Sequence, residues 1–340
     1  MTDLTPKARL LKVLRKEPVD RPPVICTGGM MNAAIVEIME RTGHTLPRAH
    51  FDDQLMTALA QDVTEATGFE NLGVPFCMTV EAELLGSEID PGTLACEPKI
   101  IRERFPSVSR VEYQDVKVLA GSGRIQTVVA AAGRLARAHP DLPVIASLTG
   151  PVSTAASIVD PMSFLKELRK DPEGAHRVLA YVTDLLVEYS RLALEAGATA
   201  IAIGDPTATG EILGPKMFEA FAVRHLNDLV DRVHRLGAPV ILHICGDLNR
   251  VRPLLPGLRA DALSTDAMLS LKGLKAEFPR ITTMGNLSTY LLQSGGPEKV
   301  AGRARELVHN GVDIISPACG LSTSTALRTI AAMTGAVKDI

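Results

Sequence analysis

The sequence predicts a single α/β domain over residues 1–340, a (β/α)8 TIM barrel with an N-terminal extension and an insertion in its first half. Three observations predict it. Short apolar runs alternate with amphipathic helical stretches, the pattern of a parallel sheet flanked by helices. Several helical stretches open with proline and stop at glycine, which fixes their ends. The residues that close the apolar runs are polar, and in a barrel the loops after the strands carry function.

The apolar runs stand at Pro23–Cys26, Leu72–Phe76, Pro143–Ser147, Ala200–Gly204, Pro239–Ile244, Ala260–Ser264, Ile281–Gly285 and Asp313–Ser316. They are rich in Val, Ile and Leu, as suits strands buried on both faces. Helices are expected over Pro172–Ala196, Pro215–Leu236 and Pro297–His309, with Gly197, Gly237 and Gly311 just beyond them. Eight strand–helix units in a chain of 340 residues suit a closed barrel. The segment Glu81–Lys117 reads as an insertion of short strands or turns with no clean helix. An open doubly wound sheet is the competing fold. Its glycine fingerprint should follow the first strand, where Thr27-Gly28-Gly29-Met30 lacks the spacing.

Composition narrows the partners. The formal net charge is -3, charged residues make up 22% and apolar residues 46%. That balance gives no electrostatic reason to expect nucleic acid or an anionic membrane. No run approaches the roughly 20 apolar residues needed to span a bilayer, and the N-terminal residues lack a secretory pattern. A cytoplasmic protein is expected. Its five cysteines are an odd number, so a disulfide framework is not.

The strand ends hold the chemistry. His243 and Cys245 lie two apart at the end of one run, so both side chains face the same way. Cys319 ends a later run at an equivalent height. One imidazole and two thiolates form a zinc set, and three protein ligands leave an open fourth position, the mark of a catalytic ion. The alternative is that each cysteine is a small buried hydrophobe, the reading given to Cys26, Cys77 and Cys96. Two thiolates cancel the charge of Zn2+, so such an ion is a mild Lewis acid suited to holding an incoming thiol as a nucleophilic thiolate.

At these residues the chain resembles the methylcobamide:coenzyme M methyltransferases of the uroporphyrinogen decarboxylase superfamily. The pattern is His243-Ile-Cys245-Gly246 followed by Pro317-Ala-Cys319-Gly320; Pro75-Phe-Cys77-Met-Thr-Val-Glu81-Ala-Glu83, Gly150-Pro151-Val152 and Ala202-Ile-Gly-Asp205-Pro206 extend the likeness over nearly the whole chain. The resemblance implies a zinc-activated thiol and a methyl donor held as methylcobalamin on a partner corrinoid protein. Attack of the thiolate on the cobalt-bound methyl leaves cob(I)alamin. The acceptor it implies is a thiol such as coenzyme M, with a folate as the alternative in demethylation pathways.

Further residues follow with two readings each. Asp266 is expected as a fourth zinc ligand or as a base beside the site. Asp205 is a site carboxylate or a helix cap. Glu81 orients a ligand or forms a structural ion pair. Gly320, Ser322 and Thr323 are expected to open the last helix, as caps and as a cradle for an anionic group such as a sulfonate. A porphyrinogen decarboxylase is the runner-up activity, but the loop Thr27–Asn32 lacks the arginines a polycarboxylate needs. A non-catalytic corrinoid binder is a third reading, and the intact triad speaks against it.

Overall fold

The computed structural model describes residues 4–340; residues 1–3, where the N-terminal extension begins, lie outside the described residues. Seven parallel strands form one sheet whose spatial order follows the chain. They are β1 (Leu72–Val74), β4 (Val144–Thr149), β5 (Ala200–Gly204), β6 (Val240–Ile244), β7 (Ala262–Thr265), β8 (Thr283–Leu287) and β9 (Ile314–Pro317). β2 (Glu88–Asp90) and β3 (Lys99–Arg102) form a separate antiparallel hairpin. Seven of the eight expected strands thus appear with ends shifted by a residue or two, while Pro23–Cys26 contributes only an isolated bridge. Among the described residues no helix is long and apolar enough to cross a membrane.

The eighth stave is the segment around Val24, and it closes the barrel in an unusual way. Pro22 and Pro23 have no N–H to give a ladder. One parallel bridge, Val24 to Ile315, joins the segment to β9. On its other side one backbone bond, from the Glu70 N–H to the Val24 carbonyl at 2.9 Å, is supplemented by side chains. Asn71 accepts from the Cys26 N–H at 2.8 Å and donates to the Cys26 carbonyl at 2.8 Å. Glu70 accepts from the Val24 N–H at 3.0 Å and pairs with Arg21 and Arg9.

Side-chain alternation builds the barrel interior in layers. Ile25, Ile145, Ala202, Ile241, Ala262, Met284 and Ile314 meet in one apolar cluster. The helix Pro6–Leu14 plugs it from below with Leu10, Val13 and Leu14, which gives the N-terminal extension its role. Two residues further along the same strands, and so on the same face, stand Thr27, Ser147, Gly204, His243, Ser264, Asn286 and Ser316. The interior therefore turns from apolar to polar toward the strand ends.

Three expectations need correction. The helix expected over Pro215–Leu236 is broken. A first turn starts at Gly210, Gly214 takes φ +65° ahead of Pro215, a π-helical stretch runs Phe218–Val223, and the regular helix is Arg224–Arg235. A residue before proline is driven out of the α region, and glycine tolerates the result. The insertion Glu81–Lys117 does contain helix, at Val80–Leu84 and one 3-10 turn at Val108–Arg110, besides its hairpin. Finally, the last helix starts at Leu327 rather than at Gly320.

Candidate metal centre

His243 is buried on β6 and Cys245 follows the strand end, so their side chains rise on the same face. His243 Nε2 lies 3.2 Å from Cys245 Sγ. Cys319, two residues past β9, brings its Sγ to 2.9 Å from Cys245 Sγ, a hydrogen-bond separation and not a covalent one. The three donor atoms lie within 4.8 Å of one another, and among the described residues they are the cluster of His, Cys, Asp or Glu that meets this condition. An ion held at about 2.0–2.3 Å by a tetrahedral N/S set needs donors about 3.5–4 Å apart. The set therefore fits zinc with a small opening of the sulfur pair.

The electrostatics favour thiolate at this point. Cys319 is lowered, chiefly by the hydrogen bond from Cys245, with His243 and the Gly320 N–H adding to it against burial. Cys245 is raised, because it holds the proton shared with Cys319, is partly desolvated, and faces the charges of Cys319 and Asp266. The pair thus carries one proton between two sulfurs. Each Cys-Gly step has a local reason. The N–H groups of Gly246 and Gly320 point at the preceding sulfurs. Gly246 has φ +74°, and a Cβ on Gly320 would lie 2.4 Å from the Met30 carbonyl oxygen. The first loop therefore packs directly behind Cys319.

A residue not singled out from the sequence orients the imidazole. Ser264 is the register partner of His243 across β6 and β7, and its Oγ lies 2.8 Å from His243 Nδ1. With the proton on Nδ1 donated to Ser264, Nε2 presents its lone pair toward the sulfurs. The Ser264 hydroxyl in turn points at Met31 Sδ, 3.7 Å away. Only the strand register reveals this pairing, so residue type alone offered no signal.

The remaining site residues are spread around the mouth. Asp266 lies outside the close cluster. Its Oδ1 accepts from the Met268 N–H at 3.1 Å, while Asn286 donates to the Asp266 and Leu269 carbonyls at 2.8 Å and so fixes the loop that carries it. Asp205 is fully buried and turned into the start of the helix Pro151–Ile158. It accepts from the N–H groups of Val152 and Ser153 at 3.0 and 2.8 Å and from Ser153 Oγ at 2.6 Å. Burial pushes its carboxyl up to about 6 against these donors. Glu81, also buried, accepts from the Thr149 N–H at 2.8 Å and lies 3.0 Å from Thr149 Oγ1; desolvation raises its pKa.

The hydroxyls of the loop from Gly320 to Thr325 bond to one another and to neighbouring segments. Ser322 and Ser324 hydroxyls lie 2.9 Å apart, Gln293 donates to Ser324 Oγ at 2.9 Å, and Thr323 Oγ1 donates to the Ala95 carbonyl at 2.8 Å. The expected cap on the last helix is replaced. Ala326 is the N-cap without a side-chain bond, and the Leu327 N–H donates to Glu37 Oε2 at 2.9 Å. Among the other cysteines, Cys26 and Cys77 are buried and Cys96 is exposed at the hairpin tip. Cys26 Sγ donates to the Met31 carbonyl at 2.9 Å, and Arg124 donates to Cys77 Sγ at 3.3 Å.

Comparisons with known proteins agree on one family. The model described as uroporphyrinogen decarboxylase (URO-D) matches residues 5–340. The methylcobamide:CoM methyltransferase MtbA of Methanosarcina acetivorans is 32% identical over 345 residues, covering 100% of this chain and 99% of its own. The methylcobamide:CoM methyltransferase MtaA of Methanosarcina barkeri is 30% identical over 341 residues, covering 99% and 98%. Among solved structures, a methyltransferase from Methanosarcina mazei superposes with a TM-score of 0.93 at 30% identity, over 99% of each chain.

Proposed function

The chain belongs to the uroporphyrinogen decarboxylase family, and within it we infer that this protein is a corrinoid-dependent methyltransferase, acting in the cytoplasm as one barrel domain, that passes a methyl group from a methylcorrinoid on a partner protein to a thiol. The observation that carries the reading is the convergence of His243, Cys245 and Cys319 at the mouth of the barrel. The names of the full-length relatives state the same class of transfer, from methylcobamide to CoM. The decarboxylase reading lacks a counterpart in the loop Thr27–Asn32, which carries no cation for a polycarboxylate.

His243, Cys245 and Cys319 are the residues that would hold zinc. Bound there, zinc supplies a mild Lewis acid that keeps the acceptor sulfur as thiolate at neutral pH. The chain's own residues do the rest. Ser264 fixes the tautomer and direction of His243. The Gly246 and Gly320 N–H groups stabilise charge on the two cysteine sulfurs. Asp266, whose charge acts on Cys245, is the carboxylate we assign to take the proton released when the acceptor thiol ionises. In the transfer the acceptor sulfur bonds to the methyl carbon, the cobalt–carbon bond breaks, and both its electrons stay on cobalt, which passes from Co(III) to Co(I).

The test pairs metal analysis with spectroscopy. The purified protein is expected to hold about one zinc per chain, and Cys319→Ser to lose it. With methylcobalamin and a thiol, the zinc protein should convert the methylcobalamin spectrum to that of the demethylated corrinoid. A metal-free protein that is fully active removes the reading.

A further inference from the structure

A cavity of about 680 Å3 opens among the helices and shares no lining residue with the metal triad. Three segments wall it. They are the end of the helix Pro161–Lys170, the start of the helix Pro172–Ala196, and the broken segment from Leu213 to Phe221. The size falls within the range of small-molecule sites. Leu168, Leu213 and Phe221, all buried as residues, give the cavity an apolar floor, with Met217 and Ala220 beside them.

The irregular backbone of the third segment falls at this cavity. Gly214, which lines it, takes φ +65°, and a Cβ there would meet nothing within 4 Å. The position uses the glycine for its backbone freedom and not for close packing. The π-helical stretch Phe218–Val223 follows at once, and such stretches occur frequently at functional sites. His176 lies flat against Phe221, with ring centroids 4.5 Å apart and planes 18° apart. Its Nδ1 is 2.9 Å from Nε2 of the buried His225. Burial, with the Arg224 charge, holds His176 below the usual range, so this wall is uncharged at neutral pH. Two full charges remain in the lining, Arg169 and Lys216, and both are positive. No carboxylate lines the cavity. Among the described residues, neither side chain is held by an ion pair or a hydrogen bond.

We propose that this cavity is a binding site for a small amphiphilic carboxylate, whose apolar body covers the floor and whose head group is received by Arg169 and Lys216. A neutral apolar molecule gains the floor alone and leaves both cations unused. An amphiphilic cation gains the floor and is repelled by both. Even in water, opposite unit charges about 4 Å apart attract by about 1 kcal/mol, or about fivefold in affinity. Two cations acting on one head group therefore favour the carboxylate over the neutral molecule by about tenfold or more. The site is separate from the triad and stands whichever acceptor the metal centre takes.

Three molecules with the same apolar body test this: octanoate, octanol and octylammonium. Binding to the full chain is measured by titration calorimetry at low salt and neutral pH. Octanoate is expected to bind about tenfold or more tightly than octanol, with octylammonium weakest. Arg169→Glu combined with Lys216→Glu should abolish the preference for octanoate over octanol or reverse it, while octanol binding changes by less than about twofold. Ala220→Trp, which fills the cavity, should weaken all three together. All three substituted residues are exposed, so thermal unfolding is expected to stay unchanged and confirms that each variant is folded. Because the preference is a ratio of two ligands read within each variant, a partial loss of folded protein cancels from it. The proposal is overturned if octanoate fails to bind, or binds no more tightly than octanol, in the unaltered protein. A preference that persists in the double variant overturns it as well, as does octanoate binding that survives Ala220→Trp.

Discussion

Ser264 stands directly across the β6–β7 ladder from His243, and its Oγ holds His243 Nδ1 at 2.8 Å. Partners that fix the far nitrogen of a ligating imidazole typically contribute 10–100-fold in metal affinity. Ser264→Ala is therefore expected to weaken zinc binding by about that factor in competition with a chelator. Because Ser264 is fully buried on a strand, its thermal unfolding should be followed in parallel. Ser264→Thr keeps the hydroxyl and should restore much of the affinity.

The cysteines should divide into three groups under alkylation at neutral pH. In protein stripped of metal, Cys319 is expected to react readily with iodoacetamide and Cys245, which holds the shared proton, more slowly, and added zinc should protect both. Cys96, exposed at the hairpin tip, should react with or without zinc. Cys26 and Cys77 should stay unmodified in folded protein, being buried, with burial also pushing the Cys26 thiol up. Peptide mass mapping reads all five. Equal labelling of Cys245 and Cys319 with and without zinc would contradict the assignment of ligands.

Asp205 ties stability to pH in the opposite sense to a paired surface carboxylate. Burial raises its folded value to about 6, above the ordinary 3.8. The folded state then binds more protons than the unfolded chain between these values, so stability falls as pH rises from about 4 to about 6. The full effect is on the order of 3 kcal/mol. Urea unfolding measured across this range should show the fall, and Asp205→Asn should remove it. The substitution will also lower stability at every pH, because it places an amide among donors that now meet a carboxylate.

The barrel was legible in the sequence for a physical reason. Strands buried on both faces must be apolar throughout, and the helices between them are bounded by proline and glycine. The triad was legible as well. The spacing of His243 and Cys245 translates directly into a shared face, and Cys319 follows the next strand but two. What stayed hidden depends on register or on contacts between distant segments. Ser264 matters only because the ladder sets it against His243. The last helix was placed too early because Ser322 and Thr323 look like caps, whereas a carboxylate from 290 residues away, Glu37, takes that place. Asp205 sits at a strand end, as a site residue would, but its donors belong to the helix after β4.

The closure of the barrel through Val24 and Ile315 sets an order of assembly. The segment that opens the barrel has its backbone partner on the last strand made, so it waits with one side unpaired until the chain reaches Ile315. Cys319 emerges four residues later, and with it Gly320, which the Met30 loop must meet. His243 and Cys245 are made some 70 residues before their third partner. A chain still being synthesised therefore offers metal two donors and no more. The three-donor grip arises only when the two ends of the barrel join, so under the zinc reading capture of the ion and completion of the fold would be a single event.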